Sequence, residues 1–422
     1  MPLKKYEMSG KENVYSLIDL NAPLQSLELY ETIDENILLA AVKEAICYHP
    51  LFGMRIIFEN NAFYFEENPE PPVIFKPKNA PKIYGAEENN YYPWMIVVWD
   101  SQMLFYATHA LTDGSGIFSF CKTVLHLYFQ RSGTVFSDTV TDFPAGSPEQ
   151  TMENAFARYA DPTHQGFRTP KFSPPVKVEP DWFELKDQRP WKLELPLREV
   201  RRFSKESETS VFSVIACILA RAAEDAFMIR SGNIDVRVPV NLRSAFPSAT
   251  DRNFVQGFSL CYMVDRMKHL PDARVETAFR SQLDLWTDRD NLMQFINADV
   301  GLAEKTKVGP AQFRALLEQE MQEKQGAEIL YTHITRPGFS EELLKKIRDI
   351  RISFNSIQEG LIYVTGITVG SNICLTIQQY SKNDCFAEAL RKVLDLREIS
   401  YTLSPFDLPP AYTCCSTSRL IK

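Results

Sequence analysis

The alternation of strand-like and helix-like segments is the feature that most constrains the fold of this chain, because it occurs twice. In the first half, apolar segments predict strands at 24–30, 54–58, 62–65, 94–99 and 103–107, and amphipathic segments predict helices at 34–46 and 117–129. In the second half, similar patterns predict strands at 191–195, 233–240, 350–354, 360–366 and 373–379, and helices at 198–203, 211–229, 272–290, 310–324, 339–348 and 384–395. This interleaving predicts an α/β protein of the α+β sandwich type, with helices packed on mixed sheets.

The segment between the two halves has a different character. Residues 131–188 are rich in proline and contain glycine, but they have weak periodicity and only one predicted short helix, at 149–159. A chain of 422 residues has room for two or three domains at about 150 residues each. We therefore expect two similar lobes, residues 1–180 and 181–422, with residues 67–90 as a surface connection in the first.

Charge and apolar content exclude several classes of protein. The net charge is −8 and no run of lysine and arginine occurs, which argues against nucleic-acid binding. No stretch approaches the roughly 18 apolar residues that a membrane-spanning helix needs, and the N-terminus lacks the apolar core of a signal peptide. The eight cysteines form no Cys-x-x-Cys pair and mostly lie in apolar runs, which predicts reduced thiols and a cytoplasmic protein.

One segment combines residues that can carry chemistry. A predicted strand ends at Ala107 and is followed by Thr108 and His109, and Asp113 and Gly114 come four and five residues after the histidine. A metal site would need at least three ligands, and no second cluster supplies them, so no metal is expected. A capped turn with an incidental histidine fits the Asp-Gly pair. The functional interpretation is a histidine general base held at the end of a strand.

Four segments in order resemble one known superfamily. The sequence His109-x-x-x-Asp113-Gly114 resembles the His-x-x-x-Asp-Gly motif of the chloramphenicol acetyltransferase-like superfamily. Three further similar segments are residues 34–57 with their Tyr-His-Pro-Leu-x-x-Met-Arg exit, the strand Pro239-Val-Asn-Leu-Arg243 together with the following Arg252-Asn-Phe-Val255, and Arg351-Ile-Ser-Phe-Asn355. This superfamily includes acyl-CoA-dependent alcohol acyltransferases and the condensation domains of nonribosomal peptide synthetases. The chain is most similar to a stand-alone bacterial alcohol acetyltransferase-like member.

The resemblance implies a mechanism for the motif. His109 would accept a proton from the hydroxyl or amine of a small acceptor, which attacks the carbonyl of a coenzyme A thioester. Coenzyme A would be a co-substrate, with no permanently bound cofactor. Asp113 would point away from the histidine and pair with Arg243 of the second lobe, and the substrates would meet in a tunnel between the lobes. The motif contains no covalent nucleophile, which favours direct transfer in a ternary complex.

Departures from the family pattern leave alternatives open. Thr108 stands where condensation domains usually have a second histidine, which favours acyl-CoA over a carrier-protein-bound donor. The donor to the developing oxyanion is not fixed by the sequence, and the candidates are Thr108, Ser353 and Asn355; Gly114 would let substrate approach the backbone closely. The alternatives are a condensation-like enzyme that uses an acyl or peptidyl carrier protein, and an inactive docking member.

Overall fold

A computed structural model describes residues 3–18, 23–139, 146–164, 173–177, 190–308, 310–323, 327–354, 361–379, 384–407, 409–410 and 413–414. The helices are α1 Gly10–Leu17, α2 Glu35–Tyr48, α3 Gly114–Arg131, α4 Pro148–Thr151, α5 Ala155–Tyr159, α6 Leu197–Glu206, α7 Val211–Ala226, α8 Val264–Met267, α9 Asp272–Trp286, α10 Arg289–Val308, α11 Pro310–Glu323, α12 Glu341–Leu344 and α13 Cys385–Leu396. The strands are β1 Lys5–Glu7, β2 Pro23–Leu29, β3 Met54–Glu59, β4 Ala62–Glu67, β5 Ile74–Phe75, β6 Ile83–Tyr84, β7 Trp94–Trp99, β8 Gln102–Ala107, β9 Trp191–Pro196, β10 Asn233–Asn241, β11 Val255–Met263, β12 Glu328–Ile334, β13 Ile347–Phe354, β14 Leu361–Val369, β15 Asn372–Gln378, β16 Thr402–Pro405 and β17 Thr413–Cys414.

The first half is built around a five-stranded sheet in the order β13-β2-β8-β7-β5. Strands β7 and β8 form an antiparallel hairpin, and β2 lies against β8 with Leu24 opposite Tyr106. Alternate residues of β8, such as Phe105 and Ala107, belong to the apolar core that includes α2 and α3. The C-terminal end of β8 is therefore held between this sheet and the start of α3.

The second half is built around a seven-stranded sheet in the order β11-β10-β12-β14-β15-β9-β16. Strands β10, β12 and β14 run parallel, and the other neighbouring pairs in this sheet are antiparallel. One face of the sheet packs on α7, α9 and α13, each of which contributes buried apolar side chains to a common core. The opposite face of β10 carries Asp235, Arg237 and Asn241, because side chains alternate along a strand.

The two sheets meet at β13. This strand comes from the second half of the chain, yet it pairs antiparallel with β2, with Ile350 opposite Leu27. From the other sheet, the side-chain amide of Gln378 donates to the carbonyl of Phe354 (2.9 Å) and accepts from its N–H (2.7 Å). The hydroxyl of Thr365 donates to the carbonyl of Ile352 (2.5 Å). Contacts from both sheets therefore fix the end of β13, the segment that directly precedes Asn355, a predicted oxyanion donor.

The α/β class predicted from the sequence is confirmed, with corrections to single elements. The predicted helix at 339–348 is wrong beyond Leu344, because residues 347–354 pair with β2 as a strand. The predicted connection at 67–90 contains the short strands β5 and β6, which pair with β7 and β17. The long helix α7 ends at Ala226 and not at Ile229.

The predicted lobe boundary at residue 180 lies outside the described residues. Strand β13 pairs in the first sheet although it lies in residues 181–422, so the first sheet contains one strand of the predicted second lobe. Within the described part of the chain, no helix combines the length and the apolar character that crossing a bilayer requires.

Candidate active site

His109 lies in a short loop between β8 and α3, here called the His109 loop (residues 108–116). The backbone N–H of Thr108 donates to the carbonyl of Pro93 (3.1 Å), which continues the β7–β8 hairpin one residue past the strand. A turn follows, in which Leu111 N–H donates to the carbonyl of Thr108 and the Thr108 hydroxyl oxygen accepts from Ala110 N–H. The loop is therefore fixed at both ends, by the sheet before it and by the helix after it.

Asp113 holds the helix end of this loop. Its Oδ1 caps α3 by accepting from Ser115 N–H (2.9 Å) and Gly116 N–H (3.2 Å). Its Oδ2 accepts from Arg243 Nη1 (2.7 Å) and from Phe254 N–H (2.8 Å). The side chain is 1% exposed, so both carboxylate oxygens are used for structure and neither is bonded to His109.

A loop of the second half, residues 250–254, encloses the His109 loop. Its backbone carbonyls at Thr250 and Arg252 accept from the guanidinium of Arg243, so the charge facing Asp113 is held in place. The Asp251 carbonyl accepts from the hydroxyl of Thr112 (2.5 Å). Asn253 Nδ2 donates to the carbonyl of His109 (3.0 Å). Both halves of the chain thus fix the position of the histidine backbone.

Two buried side-chain contacts anchor the 250–254 loop in turn. The carboxylate of Asp251 contacts Nδ1 of His49 (2.7 Å), and Nε2 of that histidine contacts the hydroxyl of Thr123 (2.8 Å). Arg252 forms a buried pair with Glu12 of α1 (2.5 Å). The sequence interpretation gave His49 no partner, because Asp251 lies 202 residues away and only the fold brings the two together.

The two ring nitrogens of His109 differ in their hydrogen bonding. Nδ1 lies 3.3 Å from the carbonyl of Thr112, and because a carbonyl only accepts, Nδ1 carries the proton. Nε2 of the neutral ring is then the basic nitrogen, and it has no hydrogen-bond partner among the described residues. Burial lowers the pKa of His109 below its usual value, although the Thr112 carbonyl and Asp113 oppose this and Lys11 adds to it. The side chain is therefore a neutral base at pH 7.

Helix α1 supplies two residues near His109 that the sequence interpretation missed. The ring of Tyr15 lies against the imidazole with 5.2 Å between ring centres. Lys11, one turn earlier, donates to Gln256 Oε1 (2.9 Å) and to the carbonyl of Val255, and burial lowers its pKa to about 8. A usable signal was present, since Ser9-x-x-Glu12 is a capping box and the structure contains both of its hydrogen bonds.

The other predicted site residues are distributed unevenly around His109. Thr108 precedes it and is buried, and Gly114 begins α3. Ser353 is buried on β13, but it lies on the face opposite Phe354, whose ring is 6.5 Å from the imidazole; Ser353 instead lines a groove with Arg351. The structure therefore does not bring Ser353 to His109. Asn355 lies outside the described residues.

The two glycines of the His109 loop differ in the space that is available for a side chain. A Cβ on Gly116 would lie 2.1 Å from Thr112 Oγ1 and 2.3 Å from the carbonyl of Asp251, whereas a Cβ on Gly114 would lie 3.7 Å from Ile334. We expect Gly116→Ala to destabilise the protein by about 1–3 kcal/mol through overpacking. Gly114→Ala is the matched control and should retain the wild-type midpoint of thermal unfolding. Equal midpoints for both variants would contradict the close approach of α3 to the 250–254 loop.

Among the described residues, no group of three or more His, Cys, Asp or Glu side chains is arranged to hold a metal ion. The residues that converge on the loop are a partly buried basic histidine, a braced carboxylate–guanidinium pair and aromatic rings. Such a site can remove a proton from a bound hydroxyl or amine.

Two mixed sheets, the first of which includes strand β13 from the second half of the chain, form the chloramphenicol acetyltransferase-like fold that the sequence resemblance predicted. Among solved structures, TRI101 from F. sporotrichioides, complexed with coenzyme A and T-2, has a TM-score of 0.63 at 9% identity, covering 95% of this chain and 99% of that one. TRI3 trichothecene 15-O-acetyltransferase from Fusarium sporotrichioides has a TM-score of 0.62 at 12% identity, covering 93% and 94%. The nonribosomal peptide synthetase FmoA3 has a TM-score of 0.58 at 11% identity, covering 94% of this chain and 43% of that one. No family profile and no curated protein matches the sequence.

Proposed function

We propose that this chain is an acyl-CoA-dependent acyltransferase that moves an acyl group from a thioester to the hydroxyl or amine of a small molecule. The observation that carries the proposal is the state of His109: Nδ1 is held by the Thr112 carbonyl, and Nε2 is the basic nitrogen of a neutral ring. The similar structures with bound coenzyme A support a thioester as the donor.

The reaction follows from this geometry. His109 Nε2 takes the proton of the acceptor as its oxygen or nitrogen attacks the thioester carbonyl carbon, and the carbonyl electrons move onto the oxygen. When the tetrahedral intermediate collapses, the carbon–sulfur bond breaks and the departing thiolate takes the proton from His109. No covalent acyl-enzyme is needed, so both substrates are bound together.

The two-lobed organisation belongs to the same proposal. The loop with His109 and the arginine that braces it come from different halves, residues 1–180 and 181–422, and Asn241 Nδ2 also crosses to the hydroxyl of Ser115 (2.9 Å). We infer that the substrates meet in a tunnel between the lobes and that neither half is active alone. Thr108, at the start of the loop, and Gly114, near its end, are the proposed substrate contacts.

The proposal is tested with a panel of acyl-CoAs of different chain length and mixed alcohols and amines. Release of free thiol that depends on the acceptor, with an acylated product in the mass spectrum, is the expected result. Transfer from an acyl-loaded carrier protein but not from acyl-CoA would support the condensation-like alternative. No transfer from either donor would refute both and favour a docking role.

The pH dependence of kcat/KM follows from the lowered pKa of His109. A general base works in its neutral form, which is present above the pKa and lost as the pH falls through it. Because burial lowers this pKa from its ordinary value of about 6.5, activity should be constant near pH 7 and decline only below about pH 6.5. An acid limb with its midpoint above pH 7 would contradict a buried neutral base.

A further inference from the structure

Tyr15 is held rigidly beside His109 by the anchoring of helix α1. The carboxylate of Asp299 on α10 accepts from the N–H groups of Gly10 (3.0 Å) and Lys11 (2.7 Å), and the Glu12–Arg252 pair ties the helix to the 250–254 loop. One turn further on, Asn13 Nδ2 donates to the hydroxyl of Thr306 (2.9 Å). The helix that presents Tyr15 is therefore fixed to α10 and to the 250–254 loop.

The Tyr15 phenol packs against the His109 loop. Its ring is tilted by 33° against the imidazole of His109, with 5.2 Å between ring centres. Arg237 of β10 and Asp113 both act electrostatically on the hydroxyl. Among the described residues, this hydroxyl has no hydrogen-bond partner. It is thus a donor left available beside the His109 imidazole.

The phenol has the protonation state that a donor needs. Burial raises the pKa of Tyr15 above its ordinary value of about 10, Arg237 lowers it by less, and Asp113 raises it further. Tyr15 therefore keeps its proton at neutral pH. Arg237 is half-exposed and pairs with Glu328 (3.1 Å).

Among the oxyanion donors predicted from the sequence, Ser353 faces the other side of the first sheet, and Asn355 lies outside the described residues. The hydroxyl of Thr108 accepts from Ala110 N–H within the loop and keeps its own proton to donate. These candidates do not exclude a further donor beside His109. A tetrahedral intermediate needs a preorganised donor close to the carbonyl oxygen, and tyrosine hydroxyls serve in this way in other sites.

We propose that Tyr15 is a catalytic residue whose hydroxyl donates a hydrogen bond to the thioester carbonyl oxygen as that oxygen becomes negative. The inference rests on the proposed acyl transfer. As the acceptor attacks, the carbonyl π electrons move onto this oxygen and the Tyr15 O–H strengthens its hydrogen bond to it. The proton stays on Tyr15, and the electrons return when the carbon–sulfur bond breaks and the thiolate leaves.

Tyr15→Phe tests the hydroxyl while keeping the ring against His109. We expect kcat to fall by about 10²–10³-fold, as for the loss of one oxyanion donor, while KM for acyl-CoA changes by less than about threefold, because the bond strengthens in the transition state. The acid limb of the pH profile should stay where it is, because the base is unchanged. Tyr30→Phe is the matched control, since Tyr30 is exposed, and should behave like wild type.

A binding measurement gives a second readout that does not depend on turnover. A trifluoromethyl ketone analogue of acyl-CoA, whose hydrated carbonyl mimics the intermediate, should bind Tyr15→Phe about tenfold or more weakly than wild type by calorimetry, while coenzyme A binds both equally. The thermal midpoint should not change.

The outcomes separate the two proposals. A Tyr15→Phe variant with wild-type kcat and wild-type analogue affinity would overturn the role of Tyr15 and leave acyl transfer intact. A wild-type protein that neither releases coenzyme A from any thioester nor binds it would overturn the proposed function and the role of Tyr15 with it.

Discussion

Replacing His109 with alanine is expected to lower kcat for acyl transfer by about 10²–10⁴-fold, the contribution that a positioned general base makes. The reason is geometric: Nδ1 is bonded to the Thr112 carbonyl, and Nε2 is the basic nitrogen of the loop. The variant should fold normally. The loop backbone is held by Pro93, Asp251 and Asn253, and none of these contacts uses the imidazole.

The measurement compares initial rates and thermal midpoints of His109→Ala with those of His164→Ala. Nε2 of His164 contacts the backbone carbonyl of Asp290 (3.2 Å), and His164→Ala should retain full turnover. An His109→Ala variant that kept wild-type turnover would contradict the general-base role. A variant that lost turnover together with a fall of many degrees in its midpoint would contradict the separation of chemistry from folding.

Asp113→Asn is expected to destabilise the protein by about 3–5 kcal/mol, the cost of removing one partner from a buried ion pair. The side chain is 1% exposed and accepts from four donors, two of them at the N-terminus of α3. Asparagine is as good a helix cap as aspartate. The loss should therefore come from the other oxygen, where an amide would face the Arg243 guanidinium and the Phe254 N–H.

Asp34→Asn is the matched control for this prediction. Asp34 caps α2 with the same geometry, accepting from Asn36 N–H (2.9 Å) and Ile37 N–H (3.1 Å), but it is exposed and has no arginine partner in the structure. Its replacement should change stability by less than about 0.5 kcal/mol. By thermal unfolding, Asp113→Asn should melt roughly 3–6 °C lower, with Arg243→Met showing a similar loss and the double variant less than the sum of both.

Two results would count against this interpretation. If Asp113→Asn melted at the same temperature as Asp34→Asn while activity was lost, Asp113 would act in the chemistry and not as a brace. If the losses of Asp113→Asn and Arg243→Met were fully additive, the two side chains would stabilise the loop independently of each other.

Periodicity in the sequence was sufficient for most of the elements around the site. Leu24–Tyr30, Trp94–Trp99 and Met103–Ala107 were predicted as strands and form three neighbouring strands of the first sheet. Their apolar residues recur on one face over five or six residues, and burial against α2 and α3 rewards that pattern directly. Hydrophobic periodicity therefore predicts an element correctly where that element packs on its near neighbours.

The elements that were missed obtain their structure from distant partners. Strand β12 has Ile329, Leu330 and Tyr331 in a row, a short apolar run that fits a helix as well as a strand, and its parallel pairing with β10 and β14 decides between them. Strand β13 was partly predicted as a helix, because residues 341–350 contain both helix formers and apolar residues. Its hydrogen-bonding partner, β2, lies about 320 residues earlier in the chain.

The sequence by itself determined the class of fold, the position of His109 at a strand end and the residue types that such chemistry needs. Each follows from spacing over a few residues. Only the tertiary structure decided that Nε2 is the free nitrogen, that Ser353 faces away from His109 and that Tyr15 lies against the imidazole. These depend on contacts between Tyr15, His109 and residues near 250, and no local pattern encodes the distance between segments so far apart in the chain.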